Sequence, residues 1–337
     1  MTSHVTVVVL AYGHEPWLRD AVDAALCSER VVVDVVVVDN GSAEVADLPV
    51  SDQLSVLRPG RNLGYAEGCN VGAQAARGEL LAFVNSDAVL HPQALAHLAE
   101  ALVADPGIGI ATASVRLGDD PSLINSAGNP VSIVGIAWAG GLGRPARELA
   151  EPRDVASASG AAMMVRRAVW DDLGGFDPLY FAYHEDVDLS VRCWQRGLRV
   201  SYVPDAIAVH HYEFSRNADK LYLLERNRLL TLLVDLQART LLLLAAPLLA
   251  FEVGVTVLSV LQGWSAQKVA GWRWLLQHRN DLRERRRAVR AARVMPDREV
   301  LRLWVGRIEP GAGLLPTWAA PLNHLLSAYW AVARRLL

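Results

Sequence analysis

The chain has 337 residues, 52% of them hydrophobic and 20% charged, with a formal net charge of −3 and three cysteines. That length suits one large α/β domain plus an appendage, whose core needs no disulfide or metal, and so small a net charge implies no partner by itself. Cys27, Cys69 and Cys193 are scattered and show no CxxC spacing, which argues against a disulfide scaffold or zinc site and suits a reducing compartment.

Mean hydropathy is +0.20, high for a purely soluble enzyme. The excess sits in the C-terminal third and reads as a membrane signal. The start, MTSHVTVVVLAYG, has no basic lead, and its apolar run is only as long as a buried strand. The catalytic part is therefore expected in the cytoplasm.

In chain order, VTVVVL at 5–10 is a β-branched run, a strand buried on both faces. Residues 17–26 follow as a helix with Trp17, Leu18, Ala21, Val22 and Ala25 on one side. Residues 31–38 form a second buried strand that ends in Asp39-Asn40-Gly41-Ser42. Short strand 54–57, helix 65–76 and strand 80–84 come next, the last ending in Asn85-Ser86-Asp87, and then a helix at 92–104 with Pro92 in its first turn. Strands alternating with helices imply βαβ units and a parallel sheet, whose ligands bind beyond the carboxyl ends of the strands. The polar clusters Ala11–Glu15, Asp39–Ser42 and Asn85–Asp87 all fall there.

Beyond 108 the pattern is less regular, and 139–153 reads as a mobile loop. Residues 159–165 read as a strand and 173–178 as a turn. An apolar helix face of Val187, Val191 and Trp194 is stopped by Gly197, with a short strand at 198–203 after it.

Leu241 to Gln262 is nearly all apolar and long enough to cross a bilayer, with Pro247 and Glu252 interrupting it. Glu252 at its centre would cost roughly 2–4 kcal/mol unless protonated, paired or buried in protein. Residues 268–293 are strongly basic, and Trp264, Trp272 and Trp274 stand at the junction, where such rings favour headgroups. Pro321 to Leu337 is a last apolar helix. Together these suggest attachment at a membrane face, through an interfacial or re-entrant hairpin as readily as a spanning helix. The plain alternative is a soluble helical cap.

Four clusters can carry chemistry. Asp39 can accept hydrogen bonds from a base or ribose, while Gly41 lets backbone approach closely; ordinary turn chemistry explains DNGS equally well. Asp87 can hold a hard cation against a diphosphate, or cap a helix. In YHEDVDLSVR, Asp186 can act as a general base, with Glu185 and Asp188 orienting it or raising its pKa. Acids also favour the first turn of a helix, but that explains less well why they follow the aromatic approach Phe181-Ala182-Tyr183-His184. His210 or His211 can offer imidazole to a metal, or be ordinary packed histidines.

The set VTVVVLAYG, VVVVDNGS, RNLGYAEGCN, LLAFVNSDA, SGAAMMVRR, GGFDPLYFAYHEDVDLSVRCWQRG and HHYEFSRN, in this order over residues 5–216, resembles the family-2 glycosyltransferases of the GT-A fold. Its flavour is that of bacterial enzymes adding rhamnose or similar sugars to lipid-linked glycan precursors. The resemblance implies an α/β Rossmann-like, mostly parallel sheet flanked by helices over 1–218. A nucleotide-sugar half would span about 1–105 and an acceptor half about 106–218, with a helical, membrane-associated region at 219–337. It implies inverting transfer from a nucleoside-diphosphate sugar, with dTDP-rhamnose the first choice and a UDP-sugar next.

On this resemblance Ala11, Tyr12, Glu15, Asp39, Gly41, Arg61, Asn62, Gly64, Asn70, Asn85 and Ser86 surround the nucleotide sugar. Asp87 and one of His210 and His211 hold Mg²⁺ or Mn²⁺. Asn85 stands where the family has the first Asp of its DxD motif, one negative charge fewer. Asp186 matches the base, flanked by Glu185 and Asp188, and Gly160, His184 and Arg192 lie on the acceptor side. The expected partners are the donor, a lipid-linked glycan acceptor and the cytoplasmic membrane face, with no nucleic acid and the oligomeric state open. Lack of a QxxRW motif argues against a processive synthase. The competing readings are a non-catalytic nucleotide-sugar-binding protein and a nucleic-acid binder working through 268–293.

Overall fold

The computed structural model describes residues 2–48, 51–211, 219–309 and 320–337. Most of the HHYEFSRN segment, residues 212–217, lies outside the described residues. The chain divides into two compact units: residues 1–129, 139–193 and 198–212 form the first, and 130–138, 194–197 and 213–337 the second.

The first unit is built on β1 (His4–Gly13), which pairs in parallel with β2 (Val32–Ser42) on one side, Val5 opposite Val33. Beyond β2 lies β3 (Leu54–Leu57), and on the other side of β1 lies β4 (Leu80–Asn85), both parallel. The remaining strands are β5 (Ala88–Leu90), β6 (Ile108–Leu117), β7 (Ile124–Ser126), β8 (Arg153–Asp154), β9 (Ala162–Arg166) and β10 (Arg199–His210). The sheet order is β3-β2-β1-β4-β9-β6-β10-β5, with β7 on β6 and β8 on β10. The sheet is mixed, because β9 runs antiparallel to both β4 and β6.

Strand alternation assigns two layers. Val5, Val7 and Val9 join one core with Leu18 and Val22 of α1 (Leu18–Leu26). On the other face α2 (Gly64–Ala75) packs through glycines: a Cβ at Gly68 would lie 2.1 Å from Leu10 Cδ1, and one at Gly72 2.4 Å from Val8 Cγ1. The small residues at three- and four-residue spacing are thus what lets this helix approach the sheet. Helix α3 (Ala94–Ala104) sends Leu95, Leu98 and Leu102 into the α1 core. Two helices complete the unit's main elements, α4 (Arg167–Leu173) and α5 (Glu185–Gln195).

Several elements differ from expectation. Strand β2 runs through Asp39–Ser42, so DNGS is the strand's own end, with Asp39 opposite Ala11. Strand β10 continues to His210 because a bulge between Val203 and Ile207 absorbs Pro204. Trp17 leaves the α1 face and stacks on His211, with ring centroids 3.6 Å apart. The stretch 139–153, expected as a mobile loop, is tied by backbone bonds such as Ile124 N–H to Arg144 C=O and carries a turn at Ala146–Leu149.

The second unit holds α6 (Lys220–Asp235), α7 (Ala238–Leu243), α8 (Ala245–Leu261), α9 (Ser265–Gln277), α10 (Arg279–Ala292), α11 (Asp297–Val300) and α12 (Ala320–Ala333). The 241–262 run is broken between α7 and α8, and no helix among the described residues is long and apolar enough to cross a membrane. Glu252 is paired: Arg228 and Lys268 bridge it and Glu225, and Trp272 Nε1–H donates to Glu252 at 2.7 Å. Against the desolvation of burial, Lys268 and Arg228 hold the Glu252 carboxyl below its ordinary value. Lys268 is therefore not part of the basic surface expected from sequence. Nor is Arg293, which bridges Asp297 and donates to the Asp235 carbonyl.

Gly72→Ala should lower stability by about 2 kcal/mol, since the added methyl overpacks the α2–β1 contact by more than helix propensity returns. Gly254→Ala in α8, where nothing lies within 4 Å of the new Cβ, should be neutral or stabilising. Thermal denaturation of both variants checks the contrast.

Candidate active site

The carboxyl ends of β1, β2 and β4 deliver the first group of side chains. Asp39 Oδ1 accepts from the N–H groups of Gly41 and Ser42 at 3.1 and 3.2 Å, and its Oδ2 lies 3.6 Å from Arg58 Nε. Gly41 has φ +112°, a conformation that suits glycine, and the exposed Tyr12 ring lies beside it. Ala11 and Glu15 are buried, while Arg61 is exposed.

Asn40, which sequence reading left unassigned, organises the next loop. Its Oδ1 accepts from Leu63 N–H at 2.7 Å and its amide donates to Asn62 Oδ1 at 2.7 Å. Asn62 in turn accepts from Gly64 N–H. Gly64 has φ +75°, and a Cβ there would lie 2.5 Å from the Phe181 carbonyl oxygen. The loop before α2 thus meets the segment before α5 directly, and Ala66 N–H donates to that same carbonyl. Asn70 is used otherwise than expected: its side chain both accepts from Phe176 N–H and donates to Phe176 C=O, fastening the turn at 174–176.

The segment entering α5 is strained. Phe181, Tyr183 and His184 all have positive φ, at 62°, 67° and 68°. Phe181 sits at ψ −65° with Ala182 N–H bonded to Tyr180 C=O at 2.7 Å, the rare form of γ-turn. Such backbone persists only where its surroundings over-determine it. Here Asp177 caps the preceding turn and Asp188 N–H bonds the carbonyl of the buried His184.

This entry brings Asp186 to Gly160. The Gly160 N–H donates to Asp186 Oδ2 at 3.0 Å, and Val187 N–H donates to Oδ1 at 2.8 Å. Tyr65, also unassigned from sequence, donates its hydroxyl to Gly160 C=O at 3.0 Å. Burial raises the Asp186 carboxyl above its ordinary value, opposed by the N–H donors of Gly160 and Val187. Burial and the Asp186 charge raise Glu185 well above its ordinary value, and its Oε2 has no hydrogen-bond partner. The two N–H donors favour the ionised form of Asp186. Burial, more than neighbouring charge, tunes it.

Asp188 and Arg192 are engaged with each other. Asp188 is fully buried and takes both Nε and an Nη of Arg192, which also donates to the carbonyls of Leu173 and Gly175. This pair anchors α5 against the Gly174-Gly175 turn.

The second acidic centre lies at Asp87. His210 Nε2 stands 3.0 Å from Asp87 Oδ1 and 3.4 Å from the Asn85 amide, with Asn125 Oδ1 at 3.3 Å from the other ring nitrogen. His211 gives its backbone N–H to Asp87 C=O and its ring to Trp17. Ser86 is buried between them in sequence. Among the described residues no group of three His, Cys, Asp or Glu side chains gathers as a complete metal site. One carboxylate, one imidazole and an amide fit a hard cation whose remaining positions go to phosphate oxygens. The two centres are joined through the backbone, since Asn85 N–H donates to Ala161 C=O at 3.0 Å, next to Gly160.

These features define an α/β protein in which Asp39 and Asp87 lie at the ends of sheet strands and a clamped, buried Asp186 opens α5 beside Gly160. Residues 3–229 match the glycosyltransferase-like family 2, and the chain belongs to that family. It is 31% identical over 247 residues to the N-acetylglucosaminyl-diphospho-decaprenol L-rhamnosyltransferase of Mycobacterium tuberculosis, covering 65% of this chain and 80% of that one. Its fold resembles GalNAc-T7, solved with UDP, GalNAc and Mn²⁺, at a TM-score of 0.56 and 17% identity, over 69% of this chain and 48% of that one. It also resembles S. aureus TarS at a TM-score of 0.51 and 17% identity, over 99% and 89% of the two chains.

A carboxyl with a raised folded pKa costs stability above its ordinary value, and the cost disappears as pH falls below it. Glu185→Gln should therefore raise the melting temperature at pH 7, with the gain vanishing below about pH 4.5, the ordinary value. An equal shift at both pH values would contradict the raised pKa.

Proposed function

We propose that the chain transfers a sugar, with inversion, from a nucleoside-diphosphate sugar to a hydroxyl of a lipid-linked glycan. The observation that carries this reading is Gly160, whose N–H holds Asp186 while its neighbour Ala161 bonds Asn85, two residues before Asp87. A proton acceptor and a cation ligand thereby share one rim.

Asp39 takes the ribose or base of the donor, and the Asn40–Asn62–Gly64 loop shapes the nucleotide pocket. Asp186 accepts the proton of the acceptor hydroxyl as its oxygen bonds the anomeric carbon and the bond to the diphosphate breaks. A single in-line displacement inverts that carbon. Mg²⁺ or Mn²⁺ held by Asp87 and His210 would supply positive charge for the leaving diphosphate. The Asp188–Arg192 pair keeps α5 in register so that Asp186 stays at Gly160. The mycobacterial relative's name supports a rhamnosyl donor such as dTDP-rhamnose and a diphospho-polyprenol acceptor. UDP-sugars are the next donors to try.

We assign the working location to the cytoplasmic face of an anionic membrane. Leu249, Val253, Val257 and Leu261 form an exposed stripe along α8, and Arg279, Arg283, Arg287 and Arg290 are exposed on α10. The arginines match an anionic leaflet at about 1 kcal/mol each. With Glu252 turned into its ion cluster, the α8 stripe presents no charge to acyl chains.

Asp186→Asn should keep donor affinity and lose transfer by about a thousandfold or more, read as diphosphate release across a panel of nucleotide sugars with added Mn²⁺; unchanged turnover would remove the role of Asp186. The protein should float with vesicles containing phosphatidylglycerol, and Leu249→Ser with Val253→Ser should abolish flotation. Recovery of the unaltered chain in the lipid-free fraction would refute the membrane assignment.

A further inference from the structure

Arg116 and Arg153 are two half-buried side chains whose guanidinium groups form no ion pair among the described residues. Arg153 donates to Ala127 C=O at 2.9 Å and lies over the Tyr202 ring at 4.5 Å. Arg116 has no hydrogen bond among the described residues, and its Nε is buried. Desolvation lowers the pKa of both, with the Tyr202 hydroxyl as the opposing influence on each and no carboxylate contributing. A desolvated cation without a counter-charge is costly to keep, which favours an anion arriving to complete it.

Their position in the sheet says where that anion would lie. Ala111, Ala113 and Val115 of β6 belong to the core under α1 and α3. Alternation turns Thr112, Ser114 and Arg116 to the opposite face. Tyr202 pairs with Thr112 on one side and with Arg153 on the other, which makes one row, and its hydroxyl bonds Ser114 at 2.8 Å. Ser159 N–H donates to Thr112 Oγ1 at 3.0 Å, and the next N–H, that of Gly160, holds Asp186. The two arginines therefore share a sheet face with Asp186, and Arg116 is paired with Val209, one residue before His210.

We propose that Arg116 and Arg153 bind a phosphate or diphosphate group of the acceptor, so that this face selects an anionic, diphosphate-linked acceptor lipid. The inference rests on the glycosyl-transfer reading for its physiological ligand, but its chemistry can be measured alone. Arginine suits it, because a guanidinium offers paired N–H donors to phosphate oxygens. Among the described residues no carboxylate pairs with either guanidinium, the neighbouring Asp154 being taken by Arg199.

The probe is geranyl diphosphate, titrated calorimetrically into the full chain, with geraniol and UDP as controls. The unaltered chain should bind geranyl diphosphate and not geraniol. Arg116→Gln should weaken that binding about tenfold or more, Arg116→Lys should restore part of it, and UDP affinity should not change. Arg153→Gln serves as the second variant, and melting temperatures confirm that each is folded. Equal affinity for geraniol, an Arg116→Gln variant that binds like the unaltered chain, or a parallel loss of UDP affinity would each overturn the proposal. If Asp186-dependent transfer persists while these arginines prove irrelevant, only this inference fails. If the arginines bind the probe while no nucleotide sugar is turned over, the glycosyl-transfer reading fails instead.

Discussion

The hydrogen bond from Gly160 N–H to Asp186 Oδ2 links the two ends of the site's construction. Gly160 sits where it does because β9 runs antiparallel between β4 and β6, opposite to the direction of both neighbours. That reversal brings the start of β9 to the carboxyl ends of the parallel strands, where Asn85 N–H meets Ala161 C=O. Asp186 reaches the same point only through a γ-turn and three positive-φ residues. Its geometry is thus bound on one side by the sheet and on the other by a strained backbone that the Asp188–Arg192 pair holds down.

The same bond separates two adjacent carboxyl groups in function. Both Glu185 and Asp186 are desolvated, and desolvation opposes ionisation in each. Backbone N–H groups of Gly160 and Val187 hold both oxygens of Asp186, while the Oε2 of Glu185 is unpartnered. Two acids beside each other thus meet different hydrogen-bonding environments, and the two N–H groups favour the ionised form of Asp186. Burial and the Asp186 charge both favour the neutral form of Glu185, which relieves part of the repulsion that neighbouring acids impose.

The second unit applies a related principle to a larger charge cluster. Arg228, Lys268, Glu225 and Glu252 neutralise one another inside the helices. Removing one member would leave a buried charge uncompensated, so the cluster ties α6, α8 and α9 together and specifies which face of α8 turns inward. The apolar face of α8 is what remains outside.

The amino-acid order by itself determined the strands and helices around β1, because a run of Val buried on both faces and helices with small residues at three- and four-residue spacing admit few other folds. It also marked Asp39, Asp87 and Asp186 as ends of elements, and the family could be recognised from the segments between them. It did not disclose that Asn40 ties Asn62, that Asn70 serves the 174–176 turn, that Asp188 is taken by Arg192, or that Tyr65 supports Gly160. Three of these are contacts between positions remote in sequence, whose local pattern is that of an ordinary turn or helix; Asp188–Arg192 is an i,i+4 pair, and only its burial was hidden. The apolar run at 241–262 illustrates the same limit: its composition is that of a spanning helix, and only packing showed Glu252 paired with residues 24 and 16 positions away. Composition sets which surfaces must leave water. The partners that each buried polar group finds are decided when distant segments meet.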